Sequence, residues 1–199
     1  MSHAMSRGSG QVSTDNLLDA ADHCFAQFGV ERTTMADVAA YAGVHRATMY
    51  RYFADRDQLI LAVLMRASAP LFERAAEELG TRGDAETAVV EAVSLAIDEA
   101  LTDVQLTSLF GAASGKAAVH VAALSNEFFA RAFETTVPTL RDAQASGRLR
   151  PGIDPEDACR WLMRIAMSLL SSDPRIELRE LRRLLRTYVT AAIFLGEEQ

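Results

Sequence analysis

Apolar residues recur at intervals of three and four along most of this chain, the spacing that gives an α-helix one buried face. The first such segment begins after Ser13 or Thr14 and ends at Gly29, and the last runs through Leu195. No segment shows the strict alternation of apolar and polar residues that is typical of a half-buried strand. The pattern predicts an all-α protein of about nine or ten helices.

Four prolines mark the starts and the expected irregularities of the later helices. Pro70 lies inside a long helical pattern, where its missing N–H group predicts a break or a kink. Pro138 is expected to bend the continuation of a helix predicted for residues 117–136. The pairs Asp154-Pro155 and Asp173-Pro174 are start signals for the last two helices.

Residues 34–56 carry two short helical patterns separated by about three residues, so the second helix must begin at a steep angle to the first. Thr34 is expected to cap the first helix together with Asp37, because a hydroxyl and a carboxylate at this spacing satisfy free N–H groups. Gly43 ends that helix, since glycine tolerates the left-handed conformation needed for a tight exit. The pair therefore has the geometry of a helix-turn-helix that reads DNA.

The second helix of the pair, from His45 to about Phe53, separates an apolar side from a polar one. At about 100° per residue, Met49 and Phe53 lie on the side that faces the domain. The outward side and its flanks consist of Arg46, Ala47, Thr48, Tyr50 and Arg51. An arginine can fork onto guanine, a threonine can contact a thymine methyl group, and a tyrosine can hold a phosphate, so this face suits DNA.

The segment TTMADVAAYAGVHRATMYRYFADRDQL, residues 33–59, closely resembles the N-terminal signature of the TetR family of bacterial transcriptional regulators. It shares the family's paired Thr residues, AGV turn, and Tyr and Phe of the second helix at matching spacing. His45 departs from the pattern, since the family usually has Ser there, and we expect it to cap the helix or contact phosphate. The resemblance implies a three-helix DNA-binding module followed by a helical regulatory and dimerisation bundle.

The outward face and the resemblance together predict the DNA-binding residues and the domain limits. By analogy with the family, Arg56 at the start of the following helix is expected to contact a phosphate. The predicted DNA-binding residues are Thr34, His45, Arg46, Ala47, Thr48, Tyr50, Arg51, Tyr52 and Arg56. We expect a flexible arm at residues 1–11, whose Arg7 can reach a minor groove, a helix-turn-helix domain at 12–56, and a ligand-binding and dimerisation domain at 57–199.

The net charge of −7 argues at first against a nucleic-acid partner, because phosphate neutralisation supplies most of the affinity for DNA. The acidic excess lies mainly in residues 57–199, which hold fifteen basic and twenty-one acidic groups. Residues 30–56 hold four Arg and three acidic groups. We expect modest non-specific affinity, with specificity supplied by a homodimer on a palindromic operator in double-stranded DNA.

Two adjacent apolar stripes end the chain, and they suggest that each subunit contributes two helices to a four-helix bundle. The alternative is that both stripes close the core of a single subunit. The residues expected at the dimer interface are Trp161, Ile165, Leu169, Leu181, Leu185, Tyr188 and Ala192.

The resemblance also implies a ligand cavity in the body, and residues 104–130 are mostly apolar with few polar interruptions. Pockets for small apolar molecules are lined in this way, although the same residues would also make a plain core. We expect a hydrophobic or aromatic effector with His120 or Gln105 as its polar partner, and no cofactor. The predicted ligand-binding residues are Gln105, Leu109, Phe110, His120, Phe128, Trp161, Met163 and Met167.

Location and cysteine chemistry follow from other features of the sequence. No apolar run reaches the roughly 18 to 20 residues of a membrane span, and no signal-peptide pattern is present, which predicts a cytoplasmic protein without a membrane partner. Cys24 and Cys159 lie in apolar stripes and are expected to be buried free thiols rather than a disulfide.

The four histidines form none of the spacings that build a catalytic or di-iron site, which argues against an enzyme. Asp19 and His23 stand four residues apart and can pair or bind a metal, with a solvated helix face as the alternative. The alternative function is a helical interaction protein without DNA binding. A salt-sensitive, sequence-dependent gel shift is expected only of the regulator.

Overall fold

The computed structural model describes residues 13–81, 83–110, 116–170 and 176–195, and within these ranges the chain forms ten α-helices and no β-strand. The predicted all-α architecture is therefore confirmed. The expected arm with Arg7 and the start signal Asp173-Pro174 lie outside the described residues. The helices are α1 Thr14–Phe28, α2 Met35–Tyr41, α3 Arg46–Tyr52, α4 Arg56–Thr81, α5 Ala85–Thr102, α6 Val104–Phe110, α7 Lys116–Leu124, α8 Asn126–Ala145, α9 Pro155–Leu170 and α10 Leu178–Leu184.

Helix α1 begins and ends at the residues that the sequence predicts. The Ser13 hydroxyl accepts a hydrogen bond from the Asn16 N–H at 3.2 Å, which satisfies one of the free donors at the helix start. Gly29 leaves the helix with a φ angle of 81°. Its inner face holds Leu17, Leu18, Ala20, Ala21, Cys24 and Phe25, all buried.

We call helices α1 to α3 the reading module and helices α5 to α10 the body. Helix α4 runs without interruption from the reading module into the body, so of the break or kink expected at Pro70 the break does not occur. Pro70 is exposed, whereas Ser68, Leu71 and Phe72 around it are buried. The hydrogen bond that proline removes therefore lies on the solvent side of the helix. Packing of the buried face against the body keeps the two halves in one element.

The helix predicted for residues 117–136 divides instead at Ser125, which separates α7 from α8. The Ser125 hydroxyl accepts a hydrogen bond from the Phe128 N–H at 3.1 Å and caps α8. Pro138 is exposed within α8 and does not end it. Serine as a cap, and not proline, therefore sets the division of this region.

The last helix does not continue as a regular α-helix to Leu195. After α10 the chain widens into a π-helical segment, Leu185–Val189, and tightens into a 3₁₀ turn, Thr190–Ala192. The buried Thr190 hydroxyl donates to the Glu86 carboxylate of α5 at 2.8 Å. Beyond it, Phe194 forms an antiparallel bridge with Leu149, which ties the end of the described chain to the α8–α9 connection.

The body is organised around α4, which packs against α5 and α8, while α8 packs against α9 and α10 packs against α5. Buried apolar residues of the N-terminal helices and of the body form one continuous core. None of the helices in the described part of the chain combines the length and the apolar character that a membrane crossing requires.

Candidate DNA interface and ligand cavity

The start of α2 is fixed by a reciprocal pair of hydrogen bonds, as predicted. The Thr34 hydroxyl accepts from the Asp37 N–H at 3.3 Å, and the Asp37 carboxylate accepts from the Thr34 N–H at 2.8 Å. The Thr34 hydroxyl also donates to the same carboxylate at 2.7 Å. Hydrogen bonds from the Thr34 side chain and then its backbone hold the pKa of Asp37 below its ordinary value.

The turn between α2 and α3 is built on Gly43, which has a φ angle of 68°. The Val44 N–H then donates to the Ala39 carbonyl at 2.9 Å, which closes the turn against α2. On α3, Met49 is fully buried, and Phe53 directly after the helix is also buried. These two apolar anchors orient the opposite face of α3 outward, as the sequence predicts.

The outward face of α3 presents a basic and hydroxyl-bearing surface. His45, Arg46, Ala47, Tyr50, Arg51 and Tyr52 are exposed, and Thr48 is half-buried. Arg46 donates from Nη2 to the Tyr50 hydroxyl at 3.0 Å, and its guanidinium carbon lies 5.4 Å from the centre of the Tyr50 ring. His45 stands at the N-cap position without a side-chain capping bond, so its predicted contact with phosphate is the role that stays open.

Arg56 is the first residue of α4 and lies beyond the outward face of α3. Its side chain makes contacts within the protein. Its guanidinium donates to the Thr33 carbonyl at 2.9 Å and to the Val30 carbonyl. Both carbonyls belong to the connection between α1 and α2. The arginine at the start of α4 therefore clamps that helix to the reading module, and these bonds compete with the phosphate contact expected from the resemblance.

A charged cluster joins α1 to α4. Arg66 donates to the carboxylates of Asp19, at 2.8 Å, and of Asp22. Burial raises the pKa of Asp22, and the hydrogen bond and charge of Arg66 offset this only in part. Asp19 thus pairs with Arg66, whereas the His23 ring stacks on Tyr41 of α2 at a centroid distance of 4.2 Å.

Two further contacts connect the reading module with helices of the body. The Gln105 amide at the start of α6 lies 3.4 Å from the Asp22 carboxylate, which it reaches as a donor. The Ala117 N–H at the start of α7 donates to the Glu31 carboxylate at 2.9 Å. Glu31 belongs to the α1–α2 connection that Arg56 also contacts. Movement of α4 or α7 therefore acts on the α1–α2 connection, whereas movement of α6 acts on α1.

An apolar cavity of about 80 Å³ lies inside the body, between α4, α5, α8 and α9. The described residues that line it carry no ionisable group other than a thiol. They are Ser68, Leu71, Phe72, Ala75, Leu79, Val89, Ala92, Val93, Ala96, Ile97, Ala100, Phe110, Phe128, Ala132, Thr135, Thr136, Cys159, Leu162, Met163, Ala166, Met167 and Leu170. The chemistry of this wall suits a neutral apolar molecule.

Half of the predicted ligand-binding residues line this cavity, namely Phe110, Phe128, Met163 and Met167. The other half do not. Leu109 is buried in the core, and Trp161 is half exposed. Gln105 and His120, expected as polar partners of the ligand, lie on the surface because α6 and α7 turn their polar edges outward. Neither Gln105 nor His120 therefore lines this cavity, and their contact with a ligand stays a prediction.

None of the polar groups of the cavity wall is among the predicted ligand-binding residues. Thr135 donates to the Arg131 carbonyl at 2.9 Å. Cys159 is a buried free thiol, and its burial raises the pKa of the thiol to about 12. Its sulfur lies 3.8 Å from the Ala132 carbonyl oxygen. Ser68 is fully buried, and its hydroxyl has no hydrogen-bond partner in the described protein. A serine on the apolar stripe of α4, between Leu64 and Phe72, was the sequence signal for this position.

The residues predicted for a dimer interface divide into two groups. Leu181 and Leu185 are buried within the chain's own core, because α10 and the π-helical segment after it both pack against α5. The other group is available at the surface. Trp161, Tyr188 and Ala192 are exposed, and Ile165 and Leu169 are half-buried.

Comparison with known proteins places these features in a family. The sequence profile described as "Bacterial regulatory proteins, tetR family" matches residues 17–63, which include α1, α2, α3 and the start of α4. The chain is 28% identical over 156 residues to the uncharacterized HTH-type transcriptional regulator MT2310 of Mycobacterium tuberculosis (strain CDC 1551 / Oshkosh), a match that covers 78% of this chain and 79% of the relative.

Solved structures show the same fold over nearly the whole length. SmeT, the repressor of the Stenotrophomonas maltophilia multidrug efflux pump SmeDEF, is 23% identical with a TM-score of 0.63, and the match covers 94% of this chain and 93% of SmeT. FadR from Bacillus subtilis, solved in complex with stearoyl-CoA, is 17% identical with a TM-score of 0.63, covering 88% of this chain and 98% of FadR. With its helix-turn-helix geometry, profile match and named relatives, the chain belongs to the TetR family and is a DNA-binding transcriptional regulator.

Proposed function

We propose that this protein is a repressor that binds a palindromic operator as a homodimer and is released by a small hydrophobic effector. In this proposal residues 12–56 form the DNA-binding domain, and residues 57–199 bind the effector and form the dimer. The observation that carries it is the uncharged cavity, because one of its walls is α4, the helix that Arg56 clamps to the reading module.

The outward face of α3 supports the DNA-binding half of the proposal. Arg46, Tyr50 and Arg51 share an exposed surface opposite the buried Met49. Arginine can read a guanine edge, while tyrosine and a second arginine position the helix on phosphates. A single module of this size reads few bases, so a second copy on a symmetric site is needed for specificity.

The size of the cavity supports a mechanism for release. Its volume of about 80 Å³ is far below the roughly 300–1,000 Å³ of sites for drug-sized ligands, so a bound effector has to enlarge it. Enlargement displaces the walls, and α4 is one of them. An effector that binds better when α4 has moved shifts the population away from the DNA-binding arrangement.

The chemistry of the wall favours neutral effectors. No lysine, arginine or histidine is among the described residues that line the cavity. A phosphorylated ligand buried there would leave its charge unpaired, which is costly in an apolar interior. Among proteins of the same fold, SmeT has been solved in complex with triclosan.

The test is a gel shift with DNA from upstream of the protein's own coding sequence, followed by a screen of apolar and phosphorylated compounds. We expect a salt-sensitive shift that unrelated competitor DNA does not abolish, and release by members of the apolar set. Arg46→Ala should weaken the specific shift by about 1–3 kcal/mol, whereas Arg179→Ala removes the same charge from an exposed position on α10 and should leave it unchanged.

Two results would contradict the proposal. Equal competition by unrelated DNA at all salt concentrations would show that the protein does not read sequence. Release from DNA caused only by the phosphorylated set would place the effector site outside the apolar cavity.

A further inference from the structure

The cavity wall contains one polar group that the protein itself leaves unsatisfied. Ser68 has no exposed surface, and its hydroxyl makes no hydrogen bond in the described part of the chain. A buried polar group without a partner is unfavourable, and such groups in native proteins have a reason. The other hydroxyls of the wall are engaged differently: Thr135 bonds to its own helix, and Thr136 bonds to the Cys159 thiol.

We propose that the Ser68 hydroxyl is the polar anchor of the effector, which is therefore a neutral, mainly apolar molecule with a hydroxyl or carbonyl group. The inference rests on the proposed function of the cavity and specifies its ligand class. A serine hydroxyl can both donate and accept, so it fits either group. A charged ligand is disfavoured, since the described lining offers no opposite charge.

The position of Ser68 along α4 gives the anchor a consequence for DNA binding. Ser68 stands twelve residues after Arg56 in the same uninterrupted helix, which is about 18 Å along its axis. Arg56 holds the other end of this stretch to the α1–α2 connection. A ligand that bonds to Ser68 therefore pulls or pushes on the helix that carries the reading module.

Ser94 provides a matched control within the same protein. It lies on α5, is fully buried, and its hydroxyl also lacks a hydrogen-bond partner. Unlike Ser68, it is not among the residues that line the cavity. Replacement of either serine by alanine removes the same atom from an equally buried helix, so only contact with a ligand distinguishes the two positions.

The experiment measures Kd by calorimetry for phenol and toluene, which have nearly the same shape and differ in one hydroxyl group, and for phenyl phosphate. We expect the full-length protein to bind phenol more tightly than toluene and not to bind phenyl phosphate. Ser68→Ala should weaken phenol binding roughly fivefold, the worth of one net hydrogen bond, and leave toluene unchanged. Ser68→Cys replaces the hydroxyl by a thiol, which is only a weak donor and acceptor, and should also weaken phenol binding. Ser94→Ala should have no effect.

Failure of the anchor is distinguishable from failure of the cavity. If Ser68→Ala binds phenol as tightly as the wild type does, and both proteins bind toluene, the cavity accepts apolar ligands and the anchor assignment is overturned. An equal loss of phenol binding in Ser94→Ala overturns it as well. Binding of phenyl phosphate as tight as that of phenol overturns the neutral class. If none of the three probes binds, the proposed cavity function fails and the anchor fails with it.

Discussion

Arg46 donates a hydrogen bond to the hydroxyl of Tyr50, one helical turn further along the exposed face of α3, at 3.0 Å. The same guanidinium lies 5.4 Å from the centre of the Tyr50 ring. The tyrosine thus holds a mobile side chain in one region of the surface proposed to meet DNA. Side chains that are held before binding lose less conformational entropy on binding, so the two residues are expected to act together.

Substitution of this pair should separate base reading from positioning. Arg46→Ala should cost about 1–3 kcal/mol on specific DNA and relax the base preference, if the guanidinium forks onto a guanine. Tyr50→Phe keeps the ring but removes the hydroxyl, and should weaken specific and non-specific DNA alike by about 0.5–1.5 kcal/mol. Fluorescence anisotropy with operator and scrambled duplexes measures both effects.

The double variant tests whether the two side chains are coupled. Because they are in contact, the losses from Arg46→Ala and Tyr50→Phe should not add. Additive losses within about 0.3–0.5 kcal/mol would show that the hydrogen bond does not matter for DNA binding.

Arg56 should behave as a structural clamp. Its removal leaves the carbonyls of Val30 and Thr33 without this donor. We expect Arg56→Ala to lower the free energy of unfolding by about 1–2 kcal/mol, since a hydrogen bond from a charged group is involved and the site is only partly buried. Denaturant unfolding measures this change directly.

Arg51→Ala is the matched control, because Arg51 is exposed on α3 and is predicted to contact phosphate. It should leave stability unchanged and reduce the slope of log affinity against log salt by about one unit. If Arg56→Ala reduces the salt slope in the same way without loss of stability, then Arg56 contacts DNA and the clamp is secondary.

These contrasts show which parts of the interface could be predicted from sequence. The Thr34–Asp37 cap and the Gly43 turn depend on residues within a few positions of each other, so local spacing predicts them. The partners of Arg56 lie 23 and 26 residues earlier in the chain. A guanidinium can choose between solvent, phosphate and carbonyl oxygen, and that choice depends on which backbone approaches it in the folded protein.

The ligand site was harder to predict for a similar reason. Helical periodicity identifies which residues of α6 and α7 are polar, but not whether that edge faces a cavity or solvent. Gln105 turns toward Asp22, and His120 lies at the surface. Ser68 is a single hydroxyl on an otherwise apolar stripe, a pattern that small serines in ordinary cores share, so only the cavity around it distinguishes this position.

The capping box at α2 should make stability depend on pH. The pKa of Asp37 is lowered from its ordinary value of 3.8 by hydrogen bonds from Thr34. A carboxylate whose pKa is lower in the folded state than in the unfolded state stabilises the folded protein at pH values above its unfolded-state pKa. This stabilisation is lost as the pH falls through its folded-state pKa. Asp37→Asn should therefore reduce Tm at neutral pH, and the difference from wild type should shrink below pH 3.8. A difference that is constant with pH would show that the charge has no part in the cap.

The proposed dimer predicts different outcomes for exposed and for buried apolar residues near the end of the chain. Trp161 and Tyr188 are 50% and 68% exposed, whereas Leu185 is 1% exposed. Trp161→Glu or Tyr188→Glu should dissociate the dimer without unfolding the subunit, because the charge becomes buried only on association. Leu185→Ala should instead cost about 2–5 kcal/mol of folding stability through the cavity it creates. Sedimentation and circular dichroism together separate these results, and a Trp161→Glu variant that sediments as a dimer would move the interface elsewhere.

Communication between the body and the reading module is expected to pass in part through Glu31. Its carboxylate accepts the Ala117 N–H at the start of α7 at 2.9 Å, and it belongs to the connection that Arg56 clamps. Because α7 packs against α4, a helix displaced by the effector can transmit its movement to this connection.

Glu31→Ala should therefore leave effector affinity and DNA affinity of the free protein nearly unchanged but weaken the coupling between them. We expect the ratio of DNA affinities without and with effector to fall by a factor that corresponds to about 0.5–2 kcal/mol. Glu31→Gln keeps an oxygen that can accept from Ala117 and should retain most of the coupling. Anisotropy titrations of operator DNA at zero and saturating effector measure the ratio for all three proteins. Full coupling in Glu31→Ala would show that release depends on α4 and α6 without this contact.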